Sequence, residues 1–329
     1  MTLLLTRGLN LFKIVASYLF SRIIKKPVHW GTPVAASIEP VNSCNLRCPE
    51  CPAGMKVLTR ARGTMQPELF KSIIGQLSPR LSYLTLYFQG EPYMSSHFFD
   101  FVAIARKEKI FVSTSTNGHF LGEKSVHQTI SSGLNRLIIS LDGADQQSYE
   151  AYRAGGDFSK VIAGTRLLVN ERKRLKSATP EIILQCLVLK SNEHQLAEIK
   201  KLGRELGVDK VTFKTAQFND YEHGNPLMPD SPKHTRYTLG KDIPGSIPAY
   251  TLKIPRPDSC FRMWSSCVFT WDGKVVPCCF DKDATHELGD MTRQTFEEIW
   301  KGDSYNSFRK KILESRKSID ICSNCSQTF

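Results

Sequence analysis

The stretch Val34-Ala-Ala-Ser-Ile-Glu-Pro-Val41, followed at once by Asn42-Ser-Cys44-Asn-Leu-Arg-Cys48-Pro-Glu-Cys51-Pro52, decides the reading of this chain. An apolar, strand-like run leads directly into a loop that carries three cysteines. Three thiolates at this spacing can hold three corners of a four-iron cluster and leave the fourth iron without a protein ligand. Catalytic metal sites keep such an open position, whereas structural sites close it. A structural zinc ion would need a fourth ligand nearby, and no further His or Cys follows until His97.

Outward from this loop, strand-like runs alternate with amphipathic stretches. The strand candidates are 34–41, 81–88, 110–115, 136–141, 181–189 and 210–215, all nearly continuous in apolar residues, as parallel strands covered on both faces require. Helical patterns fall near 66–77, 96–108, 121–132, 145–175 and 192–206. Alternating β and α elements argue for a parallel sheet with right-handed crossovers. At about 31 residues per βα unit the stretch 32–217 holds about six units. The expected fold is therefore α/β: a partial (β/α)6 TIM-like barrel, open on one side, with a small C-terminal α+β domain. A loop after a barrel strand is where such folds place their chemistry.

The chain has 329 residues, 41% hydrophobic and 23% charged, which is a globular composition. No run of eighteen or more uncharged apolar residues occurs, and on that ground a membrane-spanning helix is excluded. Ten cysteines in tight clusters, without a secretory signal, point to metal ligation in a reducing compartment rather than to disulfides. The formal charge of +12 invites nucleic acid or membrane as partners, although two bound iron–sulfur clusters would lower it to about +9. Residues 1–31 contain five basic residues before Val28 and no acidic one. Leu5, Leu9, Phe12, Ala16, Leu19 and Ile23 recur on one side of an amphipathic helix. It either covers the open bottom of the barrel or lies on an anionic membrane surface through residues 1–27. Residues 221–258 read as a proline-rich linker or substrate-covering loop. In the domain 259–329, Cys267–Trp271 and Lys274–Cys278 flank Asp272-Gly273 as a two-residue hairpin. Helices near 293–301 and 303–316 follow.

Cys44-x3-Cys48-x2-Cys51 after a first strand resembles the signature of the radical S-adenosylmethionine (SAM) enzymes. Gln89-Gly90-Glu91-Pro92 ends the second strand and resembles the family's Gly-Gly-Glu motif at the SAM amino group, with Gln89 in place of the first glycine. Ser115-Thr-Asn117-Gly118 and Ser140-Leu-Asp142-Gly143 end the third and fourth strands and resemble positions around the SAM ribose and carboxylate. Arg153 resembles an arginine that reaches that carboxylate. The residue chemistry agrees, since a zwitterion needs a carboxylate for its ammonium and an arginine for its carboxylate. Glu91, Ser115, Asn117, Ser140 and Asp142 all fall at strand C-terminal ends and so share one mouth.

Cys260-x17-Cys278 and Cys322-x2-Cys325 resemble the auxiliary-cluster domains called SPASM or, in shorter form, twitch. The resemblance implies one auxiliary four-iron cluster on Cys260, Cys278, Cys322 and Cys325. The two-residue hairpin places Cys267 across from Cys278 on one face and Cys279 on the other, so Cys267 or Cys279 replacing one of the four stays open. Cys186 reads as a buried strand residue. Phe98, Phe99 and Phe101 are expected against the barrel wall. Trp264 and Trp271 are expected to shield the auxiliary cluster.

The resemblance implies a cytoplasmic radical SAM enzyme, with a peripheral inner-membrane location as the variant that the N-terminal helix suggests. It implies a SAM-binding four-iron cluster, SAM itself, an electron donor such as flavodoxin or ferredoxin, and no nucleic-acid partner. The enzyme would cleave SAM reductively to a 5′-deoxyadenosyl radical that takes hydrogen from a peptide or a small polar substrate, a polyol or sugar. An oxidation completed through the auxiliary cluster would follow. The alternatives are a non-redox zinc-binding module and an RNA-modifying member of the same superfamily.

Overall fold

In the computed structural model, which describes residues 2–240, 249–254 and 257–326, the apolar runs become six parallel strands in sequence order. These are β1 (Ala35–Ile38), β2 (Tyr83–Thr85), β3 (Phe111–Thr116), β4 (Arg136–Ser140), β5 (Glu181–Val188) and β6 (Lys210–Thr215). Helix α1 (Leu3–Ile24) precedes the sheet, and α2 (Pro67–Leu77), α3 (Phe98–Lys107), α4 (Glu123–Ser131), α5 (Phe158–Arg174) and α6 (Leu196–Leu206) cover it. The long helical pattern at 145–175 divides. A short helix, Gln146–Glu150, gives way at Gly155, which sits at φ +80°, and the Asp157 carboxylate then caps α5 by accepting from the Lys160 amide.

Alternate strand residues face opposite ways. Ala36, Ile38, Leu84, Val112, Leu137, Ile139, Ile182 and Leu184 join the main core with helix residues such as Phe70, Phe98, Phe101 and Leu168. The intervening residues, among them Ser37, Thr85, Ser115, Ser140 and Lys214, therefore face the concave interior. Cys186 lies fully buried in β5, as its sequence context indicates.

The sheet does not end at β1. In the segment between the barrel and the last domain, β7 (Tyr237–Leu239) pairs with β8 (Tyr250–Leu252), and Tyr237 is buried against Tyr221. That proline-rich stretch thus contains packed elements, while Pro244, Pro248 and Pro255 lie outside the described residues. Next, β9 (Ser266–Phe269) runs parallel to β1 on the edge away from β2, and β10 (Lys274–Val276) and β11 (Gly289–Asp290) extend the same sheet. Helices α7 (Phe296–Lys301) and α8 (Asp303–Ser315) pack behind it. Buried Arg309 of α8 stacks 4.2 Å from the Trp300 ring and 4.3 Å from the Tyr305 ring.

The hairpin register differs from the expected one. Val275 pairs with Phe269 and Val276 with Val268, so the connection is a three-residue loop closed by Thr270 N to Lys274 O (3.0 Å), with Gly273 at φ +91°. A two-residue turn would shift the pairing by one, and one residue reverses every side chain. Cys267 consequently points into the core beside Ala36 rather than toward Cys278.

Helix α1 does cover the bottom of the barrel, but with its polar side inward. Arg7 donates to the carbonyls of Pro79, Glu108 and Lys109, which precede β2 and β3. Asn10 exchanges hydrogen bonds with the backbone of Thr32, Ser21 does so with Val28, and Tyr18 packs edge-on against Phe261 and Trp264. The buried stripe is Asn10, Ile14, Ser17 and Ser21, while Leu4, Phe12 and Ile23 are 83%, 70% and 79% exposed. By length and composition α1 is apolar enough to cross a membrane, which overturns the exclusion drawn from uninterrupted apolar runs. Arg7, Lys13 and Arg22 break the run without removing the helix's apolar character.

Candidate active site

Pro40 and Val41 turn the chain out of β1 into the cysteine loop, and the loop is held at several points. The Glu91 amide donates to Ser43 O at 2.8 Å. Gly90 stands at φ +76°, and a Cβ there would come 2.5 Å from Val41 O, so only glycine lets the second-strand loop pass this close. Below it, Glu39 is fully buried. Its carboxylate takes the Arg60 guanidinium at 2.5 and 2.6 Å and the backbone amides of Gln89 and Trp271, tying β1, β2 and the β9–β10 loop together.

The predicted residues gather around the cysteines. The Asn117 side-chain amide donates to Asn45 Oδ1 at 2.7 Å and lies 3.8 Å from Cys44 Sγ. Arg153 Nη1 lies 3.9 Å from Cys48 Sγ, and its Nε donates to Asp142 at 2.5 Å. Burial opposes the Arg153 charge, but Asp142 and Cys48 more than offset that and hold it firmly cationic. Ser115 and Ser140 sit on the interior face at the same end of the sheet.

Two carboxylates read as ligand contacts are engaged within the protein. Glu91 accepts from Tyr93 N (3.2 Å), Thr116 Oγ1 (2.8 Å) and Asn117 N (2.7 Å). Burial raises its carboxyl to about 7. Asp142 accepts from Arg153 and from Leu187 N at 2.6 Å. Both shape the mouth by bracing one strand end to the next. Asn45 is the contact that sequence spacing missed, because its partner Asn117 lies 72 positions away.

The donor chemistry fits an iron–sulfur cluster. Cys44, Cys48 and Cys51 lie within electrostatic reach of one another, and burial pushes the Cys44 thiol up to about 11. Thiols held neutral in this way become ligands when a metal displaces their protons. Leu46, Tyr152, Leu189, Phe218 and Tyr221 pack around the loop and keep water from one side. Among the described residues, no three His, Cys, Asp or Glu side chains come close enough to hold a single metal ion.

A second cysteine group is enclosed. Cys260, Cys278, Cys322 and Cys325 line one cavity, walled by Met263, Phe280, Phe308, Ile312 and Ile321. Arg316 donates to Cys325 Sγ at 3.1 Å and to Ser259 O at 3.0 Å, supplying a buried cation to the thiols. Cys267 is raised by burial alone and faces away from this group. Cys279 faces the barrel interior with Phe88, Val268 and Val276. Neither lines the cavity. Nor do the two tryptophans: Trp264 donates to Val28 O and Trp271 to Ala61 O, so shielding falls to the aliphatic and phenylalanine side chains.

Comparison with known proteins follows the same division. The pattern of the Radical SAM superfamily matches residues 38–202, and that of the SPASM iron-sulfur cluster-binding domain matches residues 260–326. The chain is 24% identical over 312 residues to the tungsten-containing aldehyde ferredoxin oxidoreductase cofactor-modifying protein of Pyrococcus furiosus, covering 88% of this chain and 86% of that one. It is 21% identical to the S-adenosyl-L-methionine-dependent 2-deoxy-scyllo-inosamine dehydrogenase of Niallia circulans, covering 88% and 90%. In fold it resembles Streptococcus suis SuiB bound to the precursor peptide SuiA, with TM-score 0.63 and 13% identity over 90% of this chain and 72% of that one.

Proposed function

This chain belongs to the radical SAM superfamily and carries its SPASM domain, and from that membership we propose that it oxidises a small polar or peptide substrate by hydrogen abstraction. When bound, the cluster on Cys44, Cys48 and Cys51 supplies the electron that cleaves SAM to methionine and the 5′-deoxyadenosyl radical. Membership in this enzyme family displaces the zinc-module alternative.

The protein's own part is orientation and exclusion of water. Arg153, fixed by Asp142 and aimed at Cys48, would receive the SAM carboxylate. Backbone groups around Gly90, held open by the braced Glu91, would receive the SAM ammonium. Ser115, Asn117 and Ser140 would line the ribose side. The second cavity would hold one auxiliary four-iron cluster as an electron acceptor for the substrate radical. The observation that carries this reading is the gathering of Cys44, Cys48 and Cys51 with Asn117 and Arg153 at one mouth. Anaerobic incubation of the reconstituted chain with SAM and dithionite tests it. Formation of 5′-deoxyadenosine and methionine supports the reading, and intact SAM beside a fully loaded cluster refutes it.

A second observation supports a location. The outward apolar side of α1, with Lys13, Arg22, Lys25 and Lys26 around it, suits insertion at an anionic membrane surface. The variant Leu5→Gln/Phe12→Gln/Leu19→Gln alters only exposed positions. It is expected to lose sedimentation with phosphatidylglycerol vesicles, and retained sedimentation would defeat the idea.

A further inference from the structure

Between the two cysteine groups the barrel interior is lined with cations. Lys214 projects inward from the end of β6, in register with Leu187. Beside it, Arg236 donates to Thr215 O at 2.7 Å and to Ser326 Oγ at 3.0 Å, and its buried Nε has no hydrogen-bond partner among the described residues. Arg262 points at Cys279, with Nη1 3.9 Å from Sγ. Together with Ser37, Thr85, Val268 and Cys279 it walls an interior cavity. Lys282 lies within electrostatic reach of Cys51, Glu50 and Cys279, and Arg236 reaches it too. Lys214 in turn feels Cys279, Arg236 and Arg262. These four cations span the space from the first cysteine site to the second.

Among the described residues none of the four forms an ion pair with a carboxylate. The nearby acids make their close contacts elsewhere, and of them Glu50 alone acts on Lys282, from beyond ion-pair distance. Glu39 is held by Arg60, Asp142 by Arg153, and Asp283 by Thr59 and the Arg60 amide. Glu50 accepts from the Asn219 amide and the Asn225 side chain. The cysteine sites also have cations beside them, Arg153 at the first and Arg316 at the second, and Arg262 lines both the second cavity and the interior one. Converging cations withdrawn from water without an anion are unfavourable, and burial already depresses Lys214, Lys282 and Arg236. An anion entering the chamber would relieve this.

We infer that the substrate carries an anionic group, a phosphate or a carboxylate, held in this chamber by Lys214, Arg236, Arg262 and Lys282. The inference rests on the radical SAM reading and narrows its substrate class. Arginine offers paired donors to either group, and lysine adds point charge. A substrate anchored there would lie beside Cys279 and between the two clusters, where hydrogen abstraction on one side and electron transfer on the other are both within reach.

The test uses the anaerobically reconstituted enzyme and three probes: inorganic phosphate, glutarate and the neutral control glycerol. Titration calorimetry is expected to show one anion bound at least about tenfold more tightly than glycerol. The better of phosphate and glutarate identifies the group. Lys214→Met/Lys282→Met is expected to weaken that binding at least about tenfold with iron content unchanged, and Lys214→Arg/Lys282→Arg to restore most of it. Equal binding of all three probes, or anion binding indifferent to the methionine pair, overturns the inference and leaves the cations as counter-charge to the clusters. Because SAM cleavage by the unaltered enzyme is scored separately, failure of the parent reading is distinguishable.

Discussion

Cys44, Cys48 and Cys51 come from a single short loop, whereas Cys260, Cys278, Cys322 and Cys325 are brought together from three separate segments. The first group sits at the mouth of the sheet with one side open. The second lines a closed cavity with its own buried arginine. A loop can present three ligands wherever its ends are anchored, so it can leave one coordination position free for a reacting molecule. Ligands drawn from distant segments close around their metal only when the whole domain is folded. The difference separates a site built to react from one built to hold.

The largest expected effect is at the open site. Cys48→Ala should reduce 5′-deoxyadenosine to background and remove about four irons per chain, with little change in melting temperature. A large loss of melting temperature would show that the open site also supports the fold. The complementary substitution, Cys322→Ala, should remove about four irons as well. It should also lower the melting temperature by several degrees, because metal binding there is coupled to folding. The electron paramagnetic signal of the first cluster should still respond to SAM.

Glu91→Gln sharpens the account of the mouth. The carboxylate receives three donors, and an amide nitrogen in its place would face one of them. A destabilisation of about 1–3 kcal/mol is expected by chemical denaturation. An unchanged midpoint would mean the brace is unimportant. Cys267→Ala should cost about 1 kcal/mol through lost packing and keep full iron content. Loss of four irons would break the assignment of the closed cavity.

A baseline remote from both clusters has no effect at neutral pH and is read only in acid. His29 is held down to about 4, by burial first and by Arg309 second. A neutral imidazole in the fold contributes stability that is complete above about pH 6.5 and is lost as pH falls toward about 4. His29→Asn should flatten the melting temperature across that window relative to the unaltered protein. An identical pH profile would show that the imidazole is not strained by its surroundings.

The six strands were legible because each is an apolar run bounded by turn residues, and the three-cysteine loop because its ligands are near neighbours. Glu91, Asn117, Asp142 and Arg153 were legible as members of one mouth, since strand ends in a parallel sheet face the same way. Their partners were not. That Glu91 and Asp142 brace strand ends follows from contacts between segments far apart in sequence. The hairpin shows the limit sharply: Asp272-Gly273 marks a turn, but its length depends on whether Asp272 joins Gly273 at positive φ, as a two-residue turn requires, and only Gly273 does so. That backbone choice at Asp272 set the register that places Cys267 in the core. Helix α1 shows it again, since periodicity revealed an apolar side but not which side meets the protein.

Sequence alone determined the order of elements, the parallel sheet and the identity of the reactive cysteine loop, because these depend on local pattern and on neighbours within a few residues. Tertiary structure alone decided that neither Cys267 nor Cys279 joins the four later cysteines at their cavity, which carboxylates are already engaged, and that Lys214, Arg236, Arg262 and Lys282 converge in the interior with no carboxylate ion pair among the described residues. Those facts depend on register and on packing between distant segments, and a linear string of residues does not carry them.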